Sequence, residues 1–246
     1  MSEPVDYDVF STKSGLKQIT NPVRQKILSE LIKADLSLTD IANLTGKAQS
    51  TLSVHLDKML KEGLVGSRDD PNDNRRKIFF LVSHPVGRSK VPDDKMRDEL
   101  KQTVLSSIGD QGTFYKGMIR AMVIGMEAVG LCIDPTMRML GEEIGKTLSA
   151  RMSSEDTEGT ISEIQEFYEI HNMGEVCVYT FLPLTIIIRD DYETPLEAGE
   201  ALCKFNEGLF RAVLQDRTGK ELQITESECF GTANNYYKFV IEPIYK

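Results

Sequence analysis

The chain has 246 residues, 40% hydrophobic and 27% charged, a balance that excludes an intrinsically disordered chain and leaves room for two domains with separate cores. No apolar run approaches the roughly 20 residues of a membrane helix. The acidic opening, Met1 to Asp8, lacks the apolar stretch of a signal peptide, so a cytoplasmic location and no membrane partner are expected. The net charge of −9 is unevenly placed: residues 1–90 hold 14 Lys and Arg against 11 Asp and Glu, whereas residues 91–246 hold 15 against 27. A basic first part and an acidic second part suit a chain of which one end alone meets a polyanion.

Asn21-Pro22 opens the first predicted helix, with Asn21 as cap and Pro22 in the first turn, where a missing N–H costs nothing. Val23, Ile27, Leu28, Leu31 and Ile32 share one face. A short helix follows from Thr39, its predicted N-cap, with Ile41 and Leu44 inward and Gly46 as the left-handed stop. The next helix, Gln49 to Gly63, buries Leu52, Leu56, Met59 and Leu60 and turns Gln49, Ser50, Ser53, Val54 and Asp57 outward. Short helix, glycine turn and longer helix with a small polar N-terminal face make a helix-turn-helix, whose second helix reads base edges in a major groove. Leu64 to Arg68 and Lys77 to Val82 are predicted strands around a turn at 69–74, a β-hairpin wing. Arg68, Arg75, Arg76 and Lys77 at its tip reach phosphates or the minor groove; the alternative is a merely solvated cationic surface.

The runs Asn21 to Leu28 and Thr51 to Val65 resemble the ArsR-type winged-helix repressors over roughly residues 15–85. The resemblance implies that Lys47, Gln49, Ser50, Ser53 and Val54 contact bases or nearby phosphates. It also implies a homodimer on a near-palindromic operator in double-stranded DNA. His55 is expected to be structural. The metal-sensing branch of that family carries a cysteine pair on the helix before the recognition helix, and Thr39 to Thr45 has none.

Pro85, Gly87 and Pro92 mark a predicted linker over 84–92. Asp93-Asp94 cap a helix carrying Met96, Leu100, Val104, Leu105 and Ile108, either a dimer strut or an element packed on its own domain. The domains are therefore expected at 1–84, with linker and connecting helix at 85–111 and a second domain at 112–246. In the helix Phe114 to Val129, Met118, Met122 and Met126 recur every four residues, as core or, with Phe205 and Tyr237, as lining of an adaptable small-ligand cavity. Helices capped by Asp134-Pro135, at 161–173 and at 196–214 are expected. Strands are expected at 176–181, 184–188, 222–228 and 236–241, an α+β domain with an antiparallel sheet. Gly141 and Gly145 sit mid-helix and are expected to allow close helix packing.

Gly141-Glu142-Glu143-Ile144-Gly145, Cys203-Lys204-Phe205-Asn206-Glu207-Gly208 and Glu228-Cys229 before Tyr237 to Ile241 together resemble the 4-vinyl reductase-type sensor domain over residues 112–243. The fusion with an ArsR-type domain is similar to the redox-responsive regulators of methanogenic archaea. That resemblance implies a zinc site in which Cys203 and Cys229 match two family ligands. Tyr237 stands where the third cysteine would, which leaves a closed site short of a ligand unless His171 or Cys177 substitutes. A redox reading brings Cys203 and Cys229 together as a disulfide, although four cysteines allow three full pairings. Packing is the expectation for Cys132. No Gly-rich dinucleotide turn or Ser/His/Asp set occurs and only three histidines are present, so catalysis is not expected. A transcriptional regulator answering a redox, metal or small-molecule effector is.

Overall fold

The chain divides after Val91, into a unit of residues Met1–Val91 and a unit of Pro92–Lys246. The computed structural model describes residues 6–71, 73–92, 94–109, 111–189, 196–228 and 236–244, with the backbone alone at 74, 94, 111, 113 and 196–199. The charge asymmetry follows this boundary: Val91 is uncharged, so the first unit keeps its surplus of three cations and the second its excess of twelve acids.

In the first unit, β1 (Asp8–Thr12) and β2 (Gly15–Ile19) form a hairpin. Next come α1 (Pro22–Leu31), the two-residue β3 (Leu36–Ser37), α2 (Leu38–Thr45) and α3 (Gln49–Lys61). The unit closes with β4 (Val65–Asp70), β5 (Asp73–Leu81) and β6 (His84–Ser89). Asn21 caps α1 as expected, accepting from the backbone N–H of Val23 and Arg24. The α2 cap differs from expectation. It is Ser37, not Thr39, because Asp40 sits at the third helical position and completes a reciprocal capping box with Ser37. Gly46 takes the left-handed conformation at φ 67°. Ile27, Leu28, Ile41, Leu52, Leu56, Met59 and Leu64 interlock with Phe10 and Phe79 in one core, each contributing about 1.5–3 kcal/mol by leaving water. Leu44, expected inward, is exposed.

The linker expected at 84–92 is corrected. Residues His84–Ser89 are the strand β6, antiparallel to β1 with Phe10 opposite Pro85 and Asp8 opposite Arg88. Proline is tolerated where it does not interrupt ladder donors, at an edge or a bulge, and the register shifts next to Phe10.

The second unit runs α4 (Asp94–Ser106), α5 (Gln111–Ala128), a two-residue β7 (Leu131–Cys132), α6 (Asp134–Ser149), α7 (Thr157–Ile170), β8 (Glu175–Phe181) and β9 (Leu184–Arg189). It ends with α8 (Leu196–Thr218), β10 (Leu222–Glu228) and β11 (Tyr236–Pro243). Residue 93 of the expected Asp-Asp cap lies outside the described residues. Asp134 does not cap α6; the N-cap is Ile133, without a side-chain bond. The sheet order is β10-β11-β9-β8, antiparallel throughout, and α8 packs Leu209, Phe210, Val213 and Leu214 onto it. The helix α6 lies against α8 at backbone contact. A Cβ on Gly141 would collide with the Phe205 carbonyl, and one on Gly145 would stand 2.6 Å from that of Leu209. The expectation of close packing at these glycines holds. The protein is thus a mixed α and β fold with antiparallel sheets, and among the described residues no helix is long and apolar enough to cross a membrane.

Candidate nucleic-acid interface

The recognition-helix surface is built by burying one side of α3. Leu52, Leu56 and Met59 anchor it, which leaves Lys47, Gln49, Ser50 and Val54 exposed and Ser53 half-buried. The Ser53 hydroxyl donates to the Gln49 carbonyl at 2.9 Å, which leaves its oxygen to act as an acceptor. His55 is half-buried on the same helix.

The wing is tighter than expected. Strands β4 and β5 continue to Asp70 opposite Asp73, and Arg75 and Arg76 join Lys77 on β5. Gly66 allows this close pairing, since a Cβ there would stand 2.6 Å from the Phe80 ring. The wing's cations come with acids that sequence reading overlooked. Arg68 donates to Asp35 at 2.8 Å and its guanidinium lies over Phe80, Arg75 donates to Asp73 at 3.1 Å, and Arg76 donates to the Ser37 hydroxyl at 3.0 Å. The Asp73 carboxyl is held below its ordinary range, first by that Arg75 bond. Asp69, Asp70 and Asp73 stood in the sequence beside the arginines and were the available signal. Arg76 also ties the wing to the start of α2, because Ser37 shares its hydroxyl with Asp40.

Among the described candidate residues of the second unit, Cys203, Phe205 and Tyr237 join one core cluster. Met118, Met122 and Met126 were expected in a core or a cavity wall and are exposed instead. The inner face of α5 is made by Val123, Ile124 and Ala128, one or two positions away. Phe205 and Tyr237 pack in the interior, apart from the methionine stripe. Cys203 is fully buried among core side chains, with Tyr237 in the same cluster. Cys177 is half-buried on β8, opposite Ile187, its thiol pushed up by burial and then by Glu175. His171 is exposed at the end of α7, its ring 4.6 Å from that of Phe167. Cys229 lies outside the described residues. Among the described residues Cys203, Cys177 and His171 join no common set of metal donors. The one set that converges there is Glu127, Cys132 and Asp134, with ligand atoms within 4.8 Å of one another. Burial pushes the Cys132 thiol up to about 12, with the Asp134 backbone N–H opposing; it is a protonated thiol at neutral pH.

Around α8 lies a charge network that the motifs did not announce. Glu207 is buried and accepts from Arg138 at 2.9 Å, Arg211 at 2.8 Å and Lys204 at 3.2 Å. Burial alone would lower the Lys204 pKa, but Glu207 and Glu226 outweigh it and raise it.

The model of the bacterial regulatory protein arsR family matches residues 21–67, from the cap of α1 into β4. The N-terminal unit carries an ArsR-family helix-turn-helix. Over 55 residues the chain is 38% identical to the nodulation protein NolR of Rhizobium meliloti, which is 22% of this chain and 45% of NolR; the match spans less than half of that relative's length. Two solved structures are similar at a TM-score of 0.36. One is a vinyl-4-reductase family protein from Methanocaldococcus jannaschii, 16% identical, covering 62% of this chain and 97% of its own. The other is the phenol-responsive sensory domain of the transcription activator PoxR, 15% identical and covering 91% of each chain. The ArsR-family match ends inside the wing, so α3 lies within it and the cations on β5 lie beyond it.

Proposed function

We propose that the protein is a homodimeric DNA-binding transcriptional regulator. Each copy sets α3 into one half of a near-palindromic operator, and the acidic unit alters operator affinity when it meets its signal. What carries this reading is the solvent-facing N-terminal surface of α3 inside the ArsR-family stretch. Helices of this kind read bases from that surface. The coupling is reciprocal, so a signal that weakens DNA binding is itself bound less well by the DNA complex. Among the described thiols, oxidation reaches half-buried Cys177 before the buried Cys132 and Cys203. The role is binding rather than catalysis.

Operator titration at several salt concentrations tests it. The double change Arg75→Ala and Lys77→Ala should weaken binding to all sequences alike and reduce the salt slope by about two. Gln49→Ala should instead cost about 1–3 kcal/mol on the preferred site and relax discrimination there. Affinity unchanged in both would overturn the reading.

A further inference from the structure

The helix α5 is turned inside out. Its charged residues are Lys116, Arg120 and Glu127, and the last two are buried at 4% and 3% exposure. Its outward stripe is instead Tyr115, Met118, Ile119, Met122, Met126 and, one position beyond the helix, Val129, spaced at three and four residues. Val104 and Leu105 at the end of α4, and Ile108 just beyond it, are exposed as well. Leu100 of α4 approaches α5 at Gly125, and the two helices are joined by a four-residue connection, so these side chains belong to one helical hairpin. Ten large apolar side chains between Val104 and Val129 stand 38–72% exposed. Half-exposed side chains of this size present on the order of 1,000 Å² together. That is more than the roughly 300–600 Å² of a monomer's largest apolar patch, and it matches the roughly 800 Å² that each partner gives to a standard interface.

We infer that a second copy of this chain covers the α4–α5 hairpin, about a two-fold axis that lays α5 against its twin. This deepens the dimeric reading above by naming the surface. A charge-free stripe can meet itself without like charges converging, whereas the excess of twelve acids makes other faces of the unit repel their copies. An anionic lipid surface is disfavoured by the same excess, since helices that lie on membranes flank the apolar face with cations. Among the described residues of the first unit the exposed large apolar side chains, Leu16, Ile32, Leu44, Val54, Val82 and Val91, are scattered along the chain. Methionine suits the role, because an unbranched thioether adapts to its own image.

Light scattering on the full chain without DNA tests this. The native protein is expected at the mass of two chains. Met122→Glu, which sets carboxylates against each other across the axis, should raise the dissociation constant on the order of a hundredfold. Its circular dichroism should be unchanged, because the side chain is exposed. Leu182→Glu, on the exposed β8–β9 turn, should leave the dimer intact. Met122→Cys treated with a short bis-maleimide should link two copies, and it reads proximity even if the glutamate variant unfolds. A native mass of one chain, a dimer indifferent to Met122→Glu, or linking at Leu182→Cys but not at Met122→Cys would overturn the assignment. Failure of the native chain to bind any operator would overturn the regulator reading and leave this dimer standing.

Discussion

In the ArsR-type unit the cations Arg68, Arg75 and Lys77 face solvent and the large apolar side chains interlock inside. In the C-terminal unit Arg120, Glu127 and Glu207 are buried while the methionines of α5 stand outside. The difference suits the two contacts proposed above. A unit that meets a polyanion spends its charge at the surface and needs only a compact core behind it. A unit that meets its own copy, as proposed above, must clear charge from the contact, and charges buried anywhere in it need partners, as Glu207 on α8 has in Arg138, Lys204 and Arg211.

The largest expected effect breaks that inner arrangement. Glu207→Gln removes the acid that three cations share and should cost about 3 kcal/mol, read as an earlier denaturant midpoint. The partly exposed Glu62 beside Arg24 in the first unit is the control. If Glu62→Gln costs as much, the contrast between the units is wrong.

A smaller effect sharpens the other side. Ser37→Ala removes the α2 cap and the acceptor for Arg76, and about 1 kcal/mol of stability should go with it. Asp40, held below the usual carboxylate range by the Ser37 hydroxyl and then its backbone N–H, should titrate closer to its ordinary value. An Asp40 carboxyl resonance that titrates identically in the variant would count against the shared cap.

The smallest effect is confined to the C-terminal unit, since all four cysteines lie there. The Cys132 thiol is raised from an ordinary 9.0 to about 12, chiefly by burial. The unfolded chain therefore gives up this proton first. The contribution is fully present below about pH 9 and is lost as pH rises from there toward 12. Unfolding midpoints at pH 8 and pH 10 should fall less for Cys132→Ala than for the native chain; equal falls would refute the burial of that thiol.

Much of this was legible in the residues. Asn21-Pro22, Gly46 and the Leu52–Leu56–Met59 spacing are local signals, and local physics decides a cap, a turn and a buried stripe. The β1–β2 hairpin is also written locally, as β-branched and apolar residues flanking Lys13-Ser14-Gly15. What periodicity could not settle was direction. Met118, Met122 and Met126 repeat every four residues whichever way the stripe points, and an uncharged methionine reads the same in a core as at an interface. Nor could spacing show that Glu207, Arg138 and Arg211 converge, since two helices bring them together.

Because β6 pairs with β1, the thread leaving the first unit is stitched to the thread that enters it. Anyone excising this piece at residue 84 would strip a neighbour from β1 and bare a row of backbone donors and acceptors to other molecules. A cut after residue 91 keeps β6 beside β1, and a tag placed ahead of Asp8 would emerge beside Arg88.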